Sequence, residues 1–425
     1  MKQRAAALLL CLLLCLSGCG SAAGGVSAAE PAPRPAAAQE TPAPPEDPPA
    51  PPPPPPPTVA SLTVCGDAMS HMPVTNDAWD AAQGKYDYAR IMAGARPYVE
   101  SADYAVVNLE TTLSGGPPYS GYPAFNSPDD MAYGLKELGF DLCLTANNHS
   151  LDRGFSGLSR TLDVLDQAGL AHVGTSRTEE EAAENAVLAD VGGISVAFLG
   201  YTYGTNSIPV PKKHPYAINL FNTDYRTTLC TPDLDRLAAD LERVQTMEPD
   251  LVAVLIHWGV EYQTRQNRYQ EEIADFLFQH GADIVLGGHS HVPQPMELRQ
   301  LEDGRQGFVC YSLGNFISSQ TKPLTNVTAA LTLTLTRDNE TGRAQVSGYT
   351  YVPLYMLHRD SAPRFELLDV CAALDSGQVS AALRGRLEEA LETCHAVFGE
   401  EQPDAQAEGG EAAARPAQER SDSFS

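Results

Sequence analysis

Between residues 59 and 370 the chain repeats one pattern: a short apolar run, a polar loop, then a stretch with apolar residues at helical spacing. Ser61-Leu62-Thr63-Val64-Cys65 leads into Gly66-Asp67, and Tyr104-Ala105-Val106-Val107 into Asn108-Leu109-Glu110. Leu142-Cys143-Leu144-Thr145 leads into Ala146-Asn147-Asn148-His149, and Val252–Ile256 into His257-Trp258-Gly259. Asp283-Ile284-Val285-Leu286 leads into Gly287-Gly288-His289-Ser290-His291. Runs of this length predict buried strands, and segments such as Leu158–Ala168 and Leu234–Val244 predict amphipathic helices. Strands alternating with helices predict an α/β layered fold. Later, Met296–Leu301 and Gly307–Leu313 flank Asp303-Gly304, a hairpin signal. Thr325–Thr336 and Ala344–Val352 predict further strands around a turn at Asp338–Gly342, and these late strands are expected to form a second sheet packed on the first. Val379–Phe398 predicts a closing helix.

The two ends of the chain differ from this body. Lys2 and Arg4 precede an apolar run of twelve residues, Ala5–Leu16, short of the ~20 a membrane-spanning helix needs. The run ends in Leu16-Ser17-Gly18-Cys19, which resembles a bacterial lipoprotein signal. That resemblance implies a signal over residues 1–18, Cys19 as the lipidated first residue of the mature chain, and a place on the extracellular face of the membrane. An ordinary signal peptide with an incidental Cys19 is the alternative. Pro31 to Pro57 holds fifteen prolines in 27 residues, which prefers extended polyproline II over a packed core, so 19–57 is expected to be a disordered stalk. Residues 400–425, with seven acids and two arginines, predict an acidic disordered tail. The domain organisation expected is thus a catalytic-type body at 58–360 and a helical segment at 361–399 between these flanks.

Charge narrows the function classes. Lys plus Arg total 28 against 54 acids, a net −26, so phosphate backbones would be repelled and no nucleic-acid partner is expected. Beyond Cys19, six cysteines remain, none in a zinc-type spacing. Cys65, Cys143 and Cys310 fall in apolar runs, where a buried thiol packs as a small hydrophobe. Cys371 with Cys394 is the one pair worth testing as a disulfide.

The strand ends carry the chemistry. Ligands bind outside the carboxyl ends of strands in open α/β sheets, and here five strands in a row deliver metal-ligand residue types. Asp67, Glu110, Asn148, His149, His257, His289 and His291 make a mixed N/O set suited to Mn, Fe or Zn rather than Ca. Two such ions can activate water and clamp both oxygens of a displacement. His289 and His291 alternate by two, so a bent loop could offer each to a different ion.

Gly66-Asp67, Asn108-Leu109-Glu110, Ala146-Asn147-Asn148-His149, His257-Trp258-Gly259 and Gly288-His289-Ser290-His291 resemble, in order, the motifs of calcineurin-like metallophosphoesterases. The CapA family of capsule and poly-γ-glutamate synthesis is a closer likeness. It is similar also in Asp152 and Gly154, in Glu261-Tyr262, in Tyr201–Asn206 and in Tyr311–Phe316. The resemblance covers roughly residues 60–360 and implies a four-layer α/β/β/α sandwich of the metallophosphoesterase type. It implies Asp67, Glu110 and His291 as ligands of one divalent metal, and Glu110, Asn148, His257 and His289 as ligands of a second, with Glu110 bridging. His149 would be the general acid of the catalytic site, and Asp152 its orienter or a helix cap. Two departures stand out: the Asp-x-His of the first motif has Met69 in place of His, with His71 two further on, and Glu110 replaces an Asp.

Four other histidines, His172, His280, His358 and His395, read as structural. Lys212-Lys213-His214 and Arg265/Arg268 read as solvated surface, with contact to an anionic substrate as the alternative. The leading expectation is a lipid-anchored, metal-dependent hydrolase or transferase acting on an anionic or cell-envelope polymer, partnered with a capsule-synthesis membrane complex. The alternatives are a non-enzymatic capsule-assembly or polymer-binding factor on the same fold, and a generic phosphodiesterase. The net charge weighs against gripping a polyanion directly unless bound metals offset the local field.

Overall fold

Period-two burial decides how the apolar runs are used. In the segment Leu251–His257, Leu251, Ala253 and Leu255 enter one core cluster while Val252, Val254 and Ile256 enter another. A strand covered on both faces reads as a continuous apolar run because neither face meets water. The fold comes from a computed structural model that describes residues 54–403. The expected signal, Cys19, all but residues 54–57 of the proline-rich stretch, and the tail beyond 403 lie outside the described residues.

In chain order the strands are β1 (Thr58–Ala68), β2 (Trp79–Asp80), β3 (Lys85–Tyr86), β4 (Tyr104–Leu109), β5 (Leu142–Leu144), β6 (Ala171–Val173), β7 (Val187–Val191) and β8 (Ile194–Thr202). They continue with β9 (Leu251–His257), β10 (Ile284–Gly288), β11 (Pro293–Gln300), β12 (Gln306–Leu313), β13 (Asn315–Ile317), β14 (Val327–Arg337), β15 (Ala344–His358) and β16 (Phe365–Asp369). One sheet runs β16-β15-β14-β1-β4-β5-β6, with β13 also paired to β1; the other runs β11-β12-β10-β9-β8-β7. Within them β1, β4, β5 and β6 are parallel, as are β8, β9, β10 and β12.

The sheets face each other across a core that includes Leu62 and Val64 from the first and Phe198, Leu255 and Leu286 from the second. Leu135, Leu158 and Leu165, from helices Asp130–Leu138 and Gly154–Ala168, cover the outer face of the first sheet at Val107 and Cys143. Leu237, Leu241, Ile273 and Leu277, from helices Leu234–Gln245 and Arg268–Gln279, cover the second at Val254 and Val285. The layer order is helix, sheet, sheet, helix, the α/β/β/α sandwich expected.

The late strands depart from the expectation. They make no sheet of their own: β12 joins β10 in parallel, while β14 pairs antiparallel with β1. Without them β1 and β10 would each leave an open edge in the middle of the fold, with backbone groups unpaired. The second sheet instead begins with the hairpin β7–β8, whose Gly192-Gly193 turn has φ of 57° and 92°. The segment 361–399 supplies β16 and a helix, Ala381–Phe398, whose Leu387, Ala390, Cys394 and Phe398 enter the inter-sheet core. Cys371 and Cys394 are both free thiols, the first exposed and the second buried, so the disulfide considered for them is not formed. Cys65, Cys143 and Cys310 are buried free thiols, as expected. Among the described residues no helix is long and apolar enough to cross a membrane.

Candidate metal centre

The carboxyl ends of β1, β4, β5, β9 and β10 converge on one edge of the sandwich. Asp67 lies within β1 and His257 ends β9, whereas Glu110, Asn148, His149, His289 and His291 follow their strands. Register fixes them mutually: Gly288 is opposite His257, and Glu110 N–H donates to Ala68 O at 3.1 Å. The Gly288 position admits no side chain, since a Cβ there would lie 2.6 Å from Asp67 Oδ1. His289 and His291 have φ of 90° and 59°, a region uncommon for residues with a side chain and often found at functional sites. That bend is how two histidines separated by one residue both join the cleft.

Two ligand groups result. Glu110, His257 and His289 each offer an atom within 4.8 Å of the others, and so do Asp67, Glu110 and His291. Glu110 belongs to both. Asn148 Oδ1 stands 2.8 Å from His257 Nε2, which places the amide with the first group. All six side chains are buried. Both Glu110 oxygens and His289 Nδ1 are buried without a hydrogen bond. An isolated buried carboxylate costs several kcal/mol even after relaxation, and here the imidazoles beside it stand off at 3.4 Å for His257 Nε2 and 4.0 Å for His291 Nε2. A divalent cation would satisfy this carboxylate, so the donor set fits divalent metal.

The protonation balance agrees. Burial raises the Asp67 carboxyl, but its hydrogen bond to His291 and the charges of His257 and His291 outweigh that and hold it below its ordinary value. Burial, with the neighbouring His257, His291 and His149, holds His289 well below its ordinary value, in the neutral form that ligates metals. Burial lowers His291 too, yet Glu110 and Asp67 overcome it and lift the imidazole to about 9. The two carboxylates therefore make a pocket that draws positive charge.

His149 is outside both groups. Its Nδ1 is 2.7 Å from Asp152 Oδ2, which also accepts from Phe125 N–H at 2.7 Å. An ionised Asp152 fixes Nδ1 as the protonated nitrogen and leaves Nε2 to exchange a proton. Asp152 thus takes the orienting place, not a ligand's and not a helix cap's. The Phe125 ring meets His149 edge-on at 4.7 Å and His71 at 5.1 Å, so His71 lines the cleft wall. Burial and the neighbouring His291 and His149 lower His71 to about 4. Neither His71 nor the buried Met69 belongs to a ligand group.

Three site residues escaped the sequence reading as individuals. Asn108 Nδ2 donates to Asp67 Oδ1 at 2.7 Å and lies 3.2 Å from His257 Nδ1, linking the two sheets. Asn206 Oδ1 accepts from Asn148 Nδ2 at 3.1 Å, and its Nδ2 is 3.4 Å from His149 Nδ1. Tyr203 packs against His289 with centroids 4.4 Å apart. The signal for Tyr203 and Asn206 was the Tyr201–Asn206 segment, and for Asn108 the Asn108-Leu109-Glu110 motif, and both carried likeness without a role for these residues. Of the histidines outside the cleft, His172 pairs with Asp166 and His280 with the Phe276 carbonyl. Lys212 and Lys213 are solvent-exposed, His214 stacks on Phe155, and Arg268 pairs with Glu272.

The profile of the bacterial capsule synthesis protein family PGA_cap matches residues 61–320, a span that holds every one of these ligands. The chain belongs to that family. A capsule biosynthesis protein CapA from Bacillus anthracis is 28% identical over 327 residues, covering 75% of this chain and 71% of that protein. A PGA biosynthesis protein CapA from Bacillus subtilis is 28% identical over 260 residues, covering 59% of this chain and 62% of its own length. Among solved structures, a calcineurin-like phosphoesterase from Bacillus subtilis covers 70% of this chain and 91% of its own at 15% identity, with a TM-score of 0.40. The PGA_cap match ends at residue 320, before β14, β15, β16 and the closing helix.

Proposed function

We propose that this PGA_cap protein is a metal-dependent hydrolase or transferase that acts on an anionic capsule or cell-envelope polymer, held by Cys19 at the extracellular face of the membrane and working beside a capsule-synthesis complex there. The observation that carries the reading is Glu110: a fully buried carboxylate with neither oxygen hydrogen-bonded, set between two groups of ligands. Asp67, Glu110 and His291 would hold one divalent ion, and Glu110, Asn148, His257 and His289 another. Such ions supply an activated water or hydroxyl and Lewis-acid stabilisation of developing oxyanion charge. The chain's own residues do the rest. His149, steered by Asp152, gives a proton from Nε2 to the leaving atom, and the buried strand ends keep bulk water from the carboxylates. Glu110, Asp67 and the unpaired His289 all agree with this arrangement.

The rival reading, an assembly factor that binds polymer without chemistry, draws on Met69, which puts a buried thioether where the first motif would carry a histidine. Turnover separates them. His149→Ala should keep metal and fold while losing about 10²–10⁴-fold in rate. If capsule output in cells survives His149→Ala but is lost when the whole protein is deleted, the chemistry is dispensable and the assembly reading replaces ours.

A further inference from the structure

At the mouth of the cleft the backbone makes a turn that few side chains accept. Tyr262 has φ 65°, and its N–H donates to Ser290 O at 2.7 Å. Ser290 is the residue between His289 and His291, so this bond ties Tyr262 to the ligand loop. The Tyr262 ring lies 6.1 Å from that of His291, and Lys322 Nζ sits 3.6 Å from the Tyr262 centroid. Gln320 completes the tether: its Nε2 is 3.4 Å from the Tyr262 hydroxyl, while its Oε1 accepts from Asn315 Nδ2 at 2.9 Å. Asn315 is in register with Asp67. Residues 315–322 therefore hang from the floor of the site.

Lys322 has no carboxylate partner among the described residues. A cation–π contact holds an ammonium in place without neutralising it, so its three N–H donors remain available to an incoming acceptor. Burial, then the neighbouring Glu261, raise the Tyr262 hydroxyl above its ordinary value. Glu261 also faces His291. It also engages the Tyr262 hydroxyl, so an incoming anion is left to the Lys322 ammonium.

We infer that Lys322, held on the Tyr262 ring, forms a subsite for an anionic group of the substrate, a carboxylate or a phosphate carried next to the bond that reacts at the ligand groups. This rests on the reading of those groups as a reaction centre. The subsite explains how so acidic a protein would take a polyanion: one unneutralised cation is placed where the substrate enters.

The test is calorimetric titration of the purified, Mn²⁺-supplemented full chain with a γ-linked oligoglutamate and, separately, with an oligo(glycerol phosphate). The oligomer that binds more tightly identifies the anion as carboxylate or phosphate. Lys322→Gln should weaken that binding roughly three- to tenfold and flatten its salt dependence, as loss of one partly exposed charge contact does. Lys322→Arg should restore it. Because Lys322 is exposed, neither change should disturb the fold. Absence of binding by both oligomers, or equal binding by wild type and Lys322→Gln, would overturn the subsite. Binding through Lys322 with no metal-dependent cleavage or transfer would uphold the subsite and defeat the reaction centre instead.

Discussion

At the residue scale the site divides into groups that could hold metal and groups that act on them. His257 and His289 share one ligand group with Glu110, so His257→Ala and His289→Ala should each lower bound transition metal while largely keeping the fold. Metal analysis of the two variants checks this; unchanged content in both contradicts the grouping. Asn206 acts at one remove. It holds the Asn148 amide at 3.1 Å and reaches His149, so Asn206→Ala should lower metal affinity by about 10–100-fold, the usual cost of losing a partner behind a ligand. A competitive chelator titration measures it. The ligands themselves were legible in the sequence because each follows a recognisable apolar strand. Asn206 was not, because it sits on a loop without periodicity, and Asn108 was visible only as part of the Asn108-Leu109-Glu110 motif, with no role of its own. The bent His289–His291 backbone was foreseeable from the alternation of the two residues, though its left-handed φ values were not.

Among the elements, strand existence was legible and strand order was not. Apolar runs announce β1, β4, β5, β9 and β10, but nothing in β12 or β14 states which edge it will pair with, since any open edge in either sheet offers the same backbone groups. Two positions test the observed order. A Cβ at Gly66 would lie 2.0 Å from Gly314 O, the carbonyl that accepts from Asp67 N–H at 2.9 Å. Gly66→Ala should therefore push β1 away from β13, cost about 1–3 kcal/mol or more in stability and weaken metal binding by displacing Asp67. Denaturant unfolding and metal analysis should move together. The closing helix gives the second test: Leu387 is fully buried in the inter-sheet core, so Leu387→Ala should cost about 2–5 kcal/mol. A loss under 1 kcal/mol would mean the helix is an appendage and not part of the sandwich.

On the scale of the whole molecule the expected layer order and the observed one agree, because alternating strands and helices leave few ways to bury both faces of two sheets. The proposed anchor is tested separately: Cys19→Ala should move the protein from the membrane fraction to the soluble one after signal cleavage, since the described body offers no spanning helix. Retention on the membrane would refute lipidation at Cys19. The net charge of −26 favours cations near the protein at large, and Asp67 and Glu110 offer two buried carboxylates to receive them. Everything proposed about the reaction depends on that site being filled. Metal content of the purified full chain, measured by mass spectrometry for wild type and Glu110→Gln, tests it most directly. Two ions per wild-type chain, one for each ligand group, with both lost in Glu110→Gln, is the predicted result. A wild-type chain without stoichiometric metal, or a folded Glu110→Gln variant that keeps both ions, would contradict the account.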